Sequence, residues 1–276
     1  MKDLKGKVAL CTGSAREKGL GKAILNALAA RGADVVVTDL GKPESQLDSG
    51  DIGNTEEMLA TAELLREHGG KVISHPCDIR DKTEVQALFE YTKKELGSVD
   101  ILINNAGVGF VMKPILDLSV EDWDLVLDVN LKGAFLCTQI AAQQMIDKGD
   151  GGRIINIASQ AAKSGFPHMA PYVSSKHGMI GLTRTSAIDL GKHGITVNAV
   201  CPNHVTTGLG AKQNEYFAEF RGMSVEDYRQ SIADRNPLGR PGFPEDTAAA
   251  VAFLASAEAC YITGEALNVS GGEEMH

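Results

Sequence analysis

Short apolar runs alternate along this chain with longer stretches in which apolar residues recur every three or four positions. Runs at 7–12, 33–38, 71–77, 99–103, 153–158, 195–201 and 266–269 have the length and continuous apolarity of strands buried on both faces. The intervening periodic stretches predict helices. The first carries Ile24, Leu25, Leu28 and Ala29 and stops at Arg31-Gly32; others begin near Thr55, span about 81–96 and 121–145, continue past Tyr172 to about His193, and run from Pro244 to about Ser256. This strand-then-helix rhythm predicts one doubly wound parallel sheet with helices on both faces. Two segments depart from it. Residues 41–53 are polar, acidic and glycine-containing, and form either a loop over a bound ligand or a solvated insertion. Residues 208–236 predict two short amphipathic helices, the second opened by the capping-box pattern Ser224-Val225-Glu226-Asp227, and are the candidate substrate lid.

With 276 residues and 43% hydrophobic content the chain is long enough for one large α/β domain spanning 1–276, and no linker or repeat divides it. A formal charge of −9 without a basic cluster argues against nucleic acid or an anionic membrane surface as partner. No apolar run approaches the ~20 residues of a membrane span, and MKDLKGK lacks a signal-peptide core. The five cysteines are far apart and include no C-x-x-C pair, which suits a reducing, cytoplasmic setting and neither disulfides nor a cysteine metal site. No histidine pair has metal-ligand spacing, so no metal is expected.

The candidate chemistry lies between Ser159 and Lys176. Tyr172 and Lys176 stand four apart on a predicted helix and therefore share one face. An unperturbed phenol titrates near ~10, and an ammonium held beside it would favour the phenolate and suit proton exchange with an alcohol. Ser159, at the carboxyl end of a predicted strand, sits where open α/β sheets place their ligands and would bond the same oxygen. A chance Tyr-x-x-x-Lys that merely packs is the plain alternative.

Other residues point to a nucleotide. Gly13, Ser14, Arg16, Gly19, Leu20 and Gly21 join a strand to a helix, where glycines admit a pyrophosphate to free N–H groups. Asp39 closes the second strand eighteen residues past Gly21, where a carboxylate accepts ribose hydroxyls and repels a 2′-phosphate. NAD is thus expected over NADP, although Arg16, Lys18 and Lys42 lie near in sequence. Asp78, followed by Ile79, is placed to meet an adenine. Asn104-Asn105-Ala106-Gly107 suits a wall along the nucleotide. Asn130, inside an apolar helix, needs a hydrogen-bond use such as a kink holding a water. Asp39 and Asp78 also have the ordinary reading of strand-end turn residues.

Taken jointly, Thr12-Gly13, Asn104 to Gly107, Asn130, Ser159, Tyr172 with Lys176, and Val205 with Thr207 resemble, in order and spacing, the short-chain dehydrogenase/reductase family, over residues 7–272. The resemblance implies a Rossmann fold and a catalytic tetrad of Asn130, Ser159, Tyr172 and Lys176. Ser159 would hold the substrate oxygen, Tyr172 exchange its proton, Lys176 lower the tyrosine pKa and bond the nicotinamide ribose, and Asn130 bind a water. It further implies that Pro202, Val205 and Thr207 flank the carboxamide, that Asn105 and Ala106 line the adenosine side, and that the protein is a homotetramer packed through its long helices. Two departures stand out: five residues, Ser14 to Lys18, separate glycines that the family usually spaces by three, and its usual Pro-Gly is here Pro202-Asn203.

The second departure is similar to the polyol and sugar-alcohol dehydrogenase branch. Gln160, Lys163, His168, Asn203 and His204 would give a pocket that bonds several hydroxyls, with Lys163 alternatively a solvated loop residue. The expected activity is NAD-dependent oxidation of a secondary alcohol to a ketone. Its rivals are an NADPH-dependent reductase of 3-oxoacyl thioesters and a cofactor-binding regulator on the same fold.

Overall fold

The computed structural model describes residues 2–42 and 53–275, so most of the 41–53 insertion lies outside the described residues. The strands β1 (Val8–Thr12), β2 (Asp34–Thr38), β3 (Val72–Ser74), β4 (Ile101–Asn104), β5 (Gly152–Ile157), β6 (Ile195–Pro202) and β7 (Ala266–Val269) form one seven-stranded sheet. Its order is β3-β2-β1-β4-β5-β6-β7, and every pairing is parallel. Strand order reverses between β1 and β4, which opens a crevice at their carboxyl ends.

Continuous apolarity of the strands follows from burial on both faces. Ala9, Cys11, Val35, Val37, Ile101 and Ile103 pack with the helices α1 (Leu20–Ala30), α2 (Thr55–Arg66) and α9 (Pro244–Ala255). Their alternating neighbours Val8, Leu10, Val36 and Leu102 pack with α3 (Lys82–Glu95), α4 (Val120–Leu127) and α5 (Ala134–Lys148). The catalytic-helix candidate is α6 (Ala170–Leu190), and the candidate lid is α7 (Gly208–Phe220) with α8 (Val225–Arg235).

Three expectations change. The third strand is shorter than 71–77 because Pro76 has no N–H to donate, although His75 and Cys77 still bond the β2 side through Val37 and Asp39 carbonyls. The helix expected over 121–145 is two helices joined by a π-helical turn, Asp128–Gly133, with Asn130 inside it. Third, Val120–Lys148 is long and apolar enough by length and composition to cross a membrane, and over half of its most apolar window is buried within the protein. Core packing accounts for that apolarity.

Candidate active site

Thr12 joins the two strands that flank the crevice: its Oγ1 accepts from the N–H groups of Asn105 and Ala106 at 3.1 and 3.0 Å. The Asn105 amide in turn donates to the carbonyls of Thr12 and Gly13 at 2.8 and 2.9 Å. Gly13 has φ 65°, and a Cβ there would lie 2.8 Å from the Ala106 Cα, so glycine is required on both counts. These bonds hold the turn open in front of α1, whose N-cap, Gly19, offers no side chain to the first-turn N–H groups. The fit to a dinucleotide is therefore physical: uncapped donors at a helix N-terminus, reached over glycines, face an open cleft.

Among the expected cofactor residues, Gly13, Arg16, Gly19, Leu20, Asp39, Asp78, Ile79, Asn105, Ala106, Gly107, Pro202, Val205 and Thr207 all line this cleft. Ser14 and Gly21 do not. The Ser14 hydroxyl is buried, accepting from Thr38 N at 3.2 Å and donating to its carbonyl, and so ties the turn to β2. Gly21 packs under the turn, against the Gly13 carbonyl and the Asn105 amide.

Asp39 is more committed than a free strand-end carboxylate. Oδ2 accepts from Ala15 N at 3.2 Å, and Oδ1 accepts from Leu40 N and Gly53 N at 3.0 and 3.1 Å. Burial pushes its pKa up, and those backbone donors oppose the rise. Gly53, where the 41–53 insertion returns, thus comes down onto Asp39. Asp78, expected against adenine, instead grips Arg80, with Nη2 to Oδ2 at 2.6 Å and Nε to Oδ1 at 2.9 Å. Burial pushes Asp78 up, but the Arg80 contacts prevail and hold it below the usual carboxylate range. Arg80 itself lines the cleft, a feature that no motif signalled.

At the other end, Ser159, Tyr172 and Lys176 come together. The Ser159 Oγ accepts from Ala161 N at 3.1 Å and lines the cleft. Burial raises the Tyr172 pKa, partly offset by a hydrogen bond with Ser159. Lys176 is nearly inaccessible; burial lowers its pKa from 10.5 to about 8. Its Nζ donates to the Ile157 carbonyl at 2.7 Å and lies 5.6 Å from the Tyr172 ring centre. Here the Lys176 ammonium bonds the main chain, and burial is the largest influence on the phenol.

Asn130 is fully buried behind these three. Its Oδ1 accepts from Val108 N at 2.8 Å, and its Nδ2 donates to the Val108 carbonyl and to Ser175 Oγ at 2.9 and 3.1 Å. The amide is thus occupied by protein, so the expected water-holding role does not fall to the side chain's donors. Its visible work is to pin the loop after β4 to α6.

The substrate end is mixed. Gln160 and His204 line it, and neither side chain has a hydrogen-bond partner among the described residues. Burial lowers the His204 pKa, keeping the imidazole neutral. Asn203 also lines the cleft but donates its amide to Glu273 Oε2. Two expected pocket residues are elsewhere. Lys163 donates to Ala266 O and Asn268 Oδ1 at 2.7 and 2.6 Å and does not line the pocket. His168, at φ 63°, turns its Nδ1 to the Tyr216 hydroxyl, 2.7 Å away, and its ring edge to Phe220. Phe110, Phe166, Met169, Phe217 and Ile232 supply apolar walls that the sequence reading did not assign, two of them from the lid. Gln213 of α7 donates to the Gly109 carbonyl at 2.9 Å, and a Cβ on Gly109 would meet the Tyr172 ring at 2.8 Å.

A tyrosine, a serine and a buried lysine beside a dinucleotide-shaped cleft match what comparison finds over almost the whole chain. A family model described as enoyl-(acyl carrier protein) reductase matches residues 13–274. A short-chain dehydrogenase/reductase of Armillaria gallica is 39% identical, covering 97% of this chain and 95% of the relative. This chain is a short-chain dehydrogenase/reductase. D-threitol dehydrogenase of Mycolicibacterium smegmatis is 37% identical over 98% of the chain and 93% of the relative. Among solved structures, NAD+-bound xylitol dehydrogenase is similar with TM-score 0.88 and 30% identity, covering 98% of this chain and 99% of that one. Actinorhodin polyketide ketoreductase with NADPH is similar with TM-score 0.88 and 35% identity, covering all of this chain and 99% of the other. As a member of this family the protein is an oxidoreductase that uses a nicotinamide cofactor on an alcohol or its carbonyl partner.

Proposed function

We propose that the protein oxidises a secondary alcohol carrying a further hydroxyl, a polyol or sugar-like compound, to its ketone with NAD. The observation that carries this reading is the pair Gln160 and His204: two polar side chains that line the same cleft as Ser159 and Tyr172 and have no hydrogen-bond partner among the described residues. Gln160 is buried and His204 half-buried, and a site whose polar groups pair with a substrate hydroxyl discriminates against substrates lacking one. Threitol and xylitol dehydrogenases among the relatives agree with it.

In this reading the first-turn N–H groups of α1 and Gly19 hold the pyrophosphate, and Asp39 meets the adenosine ribose. The cofactor, when bound, supplies the hydride acceptor. The Ser159 hydroxyl donates to the substrate oxygen, and Tyr172, its own proton first released to solvent, takes the alcohol proton as phenolate. Lys176 holds the nicotinamide ribose and supplies positive charge behind the phenol, while Asn130 fixes the backbone that faces both. A cytoplasmic setting agrees with five unpaired cysteines. A homotetramer agrees with Val120, Trp123 and Phe135 exposed on α4 and α5 and Ile188 exposed on α6.

The apolar walls favour a second reading, an NADPH-dependent reductase of 3-oxoacyl thioesters, which the NADPH-bound ketoreductase likeness also supports. One panel separates them: C4 to C6 polyols and diols with NAD or NADP, against acetoacetyl thioesters with NADH or NADPH. Polyol oxidation favouring NAD supports the first reading, and thioester reduction favouring NADPH replaces it.

A further inference from the structure

The chain's last residues return to the substrate end of the cleft, and nothing in the motifs anticipated this. Glu273 is almost buried, and its carboxylate binds two segments at once. Oε2 accepts from the Asn203 amide, immediately beyond β6, and Oε1 accepts from Arg235 Nε at 3.2 Å, in the last turn of lid helix α8. Next to this bridge, Asn236 donates to the Ser270 carbonyl at 3.1 Å, so the tail is strapped to the end of α8 at two points.

His204 follows Asn203 directly and faces the same cluster. The charged and titratable groups around it are Glu273 from the tail, Tyr228 and Arg235 from α8, and Arg221 from the end of α7. The anion favours the imidazolium, and the two guanidinium groups oppose it. A carboxylate placed there has two uses: it fixes the Asn203-His204 backbone against the lid, and it sets the field in which His204 meets a ligand.

We propose that Glu273 is a positioning residue of the substrate pocket, its carboxylate tying Asn203 to Arg235 of the lid and facing its charge toward His204. This rests on the alcohol-dehydrogenase reading only for its kinetic consequence. The positioning itself is read without turnover.

The test compares full-length wild type with Glu273→Gln and Arg235→Gln. The His204 imidazole is titrated by NMR, its signal assigned with His204→Gln. Glu273→Gln removes an anion and moves the His204 titration to lower pH; Arg235→Gln removes a cation and moves it to higher pH. A merely structural role predicts loosening of the pocket, so that hydration carries His204 toward its ordinary value, upward, in both variants. Upward movement in both, or no movement in either, overturns the proposal. If Glu273→Gln does not fold, Arg235→Lys, which keeps the charge, takes its place: a His204 titration unchanged in Arg235→Lys and raised in Arg235→Gln upholds the proposal, and upward movement in both, or in neither, overturns it. In the turnover assay both variants raise the KM for the alcohol by about tenfold, leaving kcat within about threefold, because uniform binding is lost. Equal losses in kcat and kcat/KM would also overturn it. A wild type inactive on every alcohol sinks the functional reading and leaves the titration result standing.

Discussion

Lys176 donates to the carbonyl of Ile157 at 2.7 Å, so the amine 5.6 Å from the Tyr172 ring centre is anchored to the end of β5 rather than to the phenol. The strand that delivers Ser159 therefore also fixes the lysine. Burial without a carboxylate partner is why the lysine pKa falls to about 8.

That lysine leaves a signature in stability. Its folded-state pKa is below the unfolded one, so between about pH 8 and 10.5 the unfolded chain binds the proton that the folded chain has released, and stability rises with pH across that window. Lys176→Met removes this rise, keeps the fold with unchanged or higher thermal stability at pH 7, and loses most turnover. Thermal melts at pH 7, 8, 9 and 10 check the slope.

Asp39 sets cofactor choice in this account, held for that task by Ala15, Leu40 and Gly53. Asp39→Ala raises the KM for NAD and lowers the preference for NAD over NADP by at least about tenfold, or ~1.4 kcal/mol. Initial rates with each cofactor measure it, and an unchanged ratio removes Asp39 from the account.

Gly109→Ala tests how closely the loop after β4 supports the catalytic ring. The added Cβ would lie 2.8 Å from Tyr172 Cε2 and 3.1 Å from Gln213 Nε2, so the ring or the lid must shift. Misplacement of ~1 Å costs about 100-fold in rate, and kcat is expected to fall 10- to 100-fold with NADH affinity unchanged.

Asn130→Ala deletes three buried hydrogen bonds between the π-helical turn, Val108 and Ser175. Leaving the Val108 groups unpaired costs about 2–4 kcal/mol, read from urea unfolding.

The sheet, its strand sequence and the cleft residues were legible because buried parallel strands and glycine turns are local patterns. Asn130 was legible as a conflict, a polar amide in an apolar helix, and its resolution as a π-helical turn needed the contact with Val108, twenty-two residues away. The substrate end was legible least. Whether Lys163, His168 and Asn203 face a ligand depends on Ala266, Tyr216 and Glu273, partners 48 to 103 residues distant, which no spacing rule reaches. Likewise, Lys176 shares a face with Tyr172 by helical geometry, while its bond to Ile157 belongs to tertiary packing.

The most direct measurement is kcat of Tyr172→Phe at saturating cofactor and alcohol, with NADH affinity measured alongside by fluorescence. Loss of the proposed proton-exchanging hydroxyl in the first turn of α6 predicts a fall of about 1,000-fold or more with NADH affinity within a few-fold of wild type. Turnover at the wild-type rate would contradict the account.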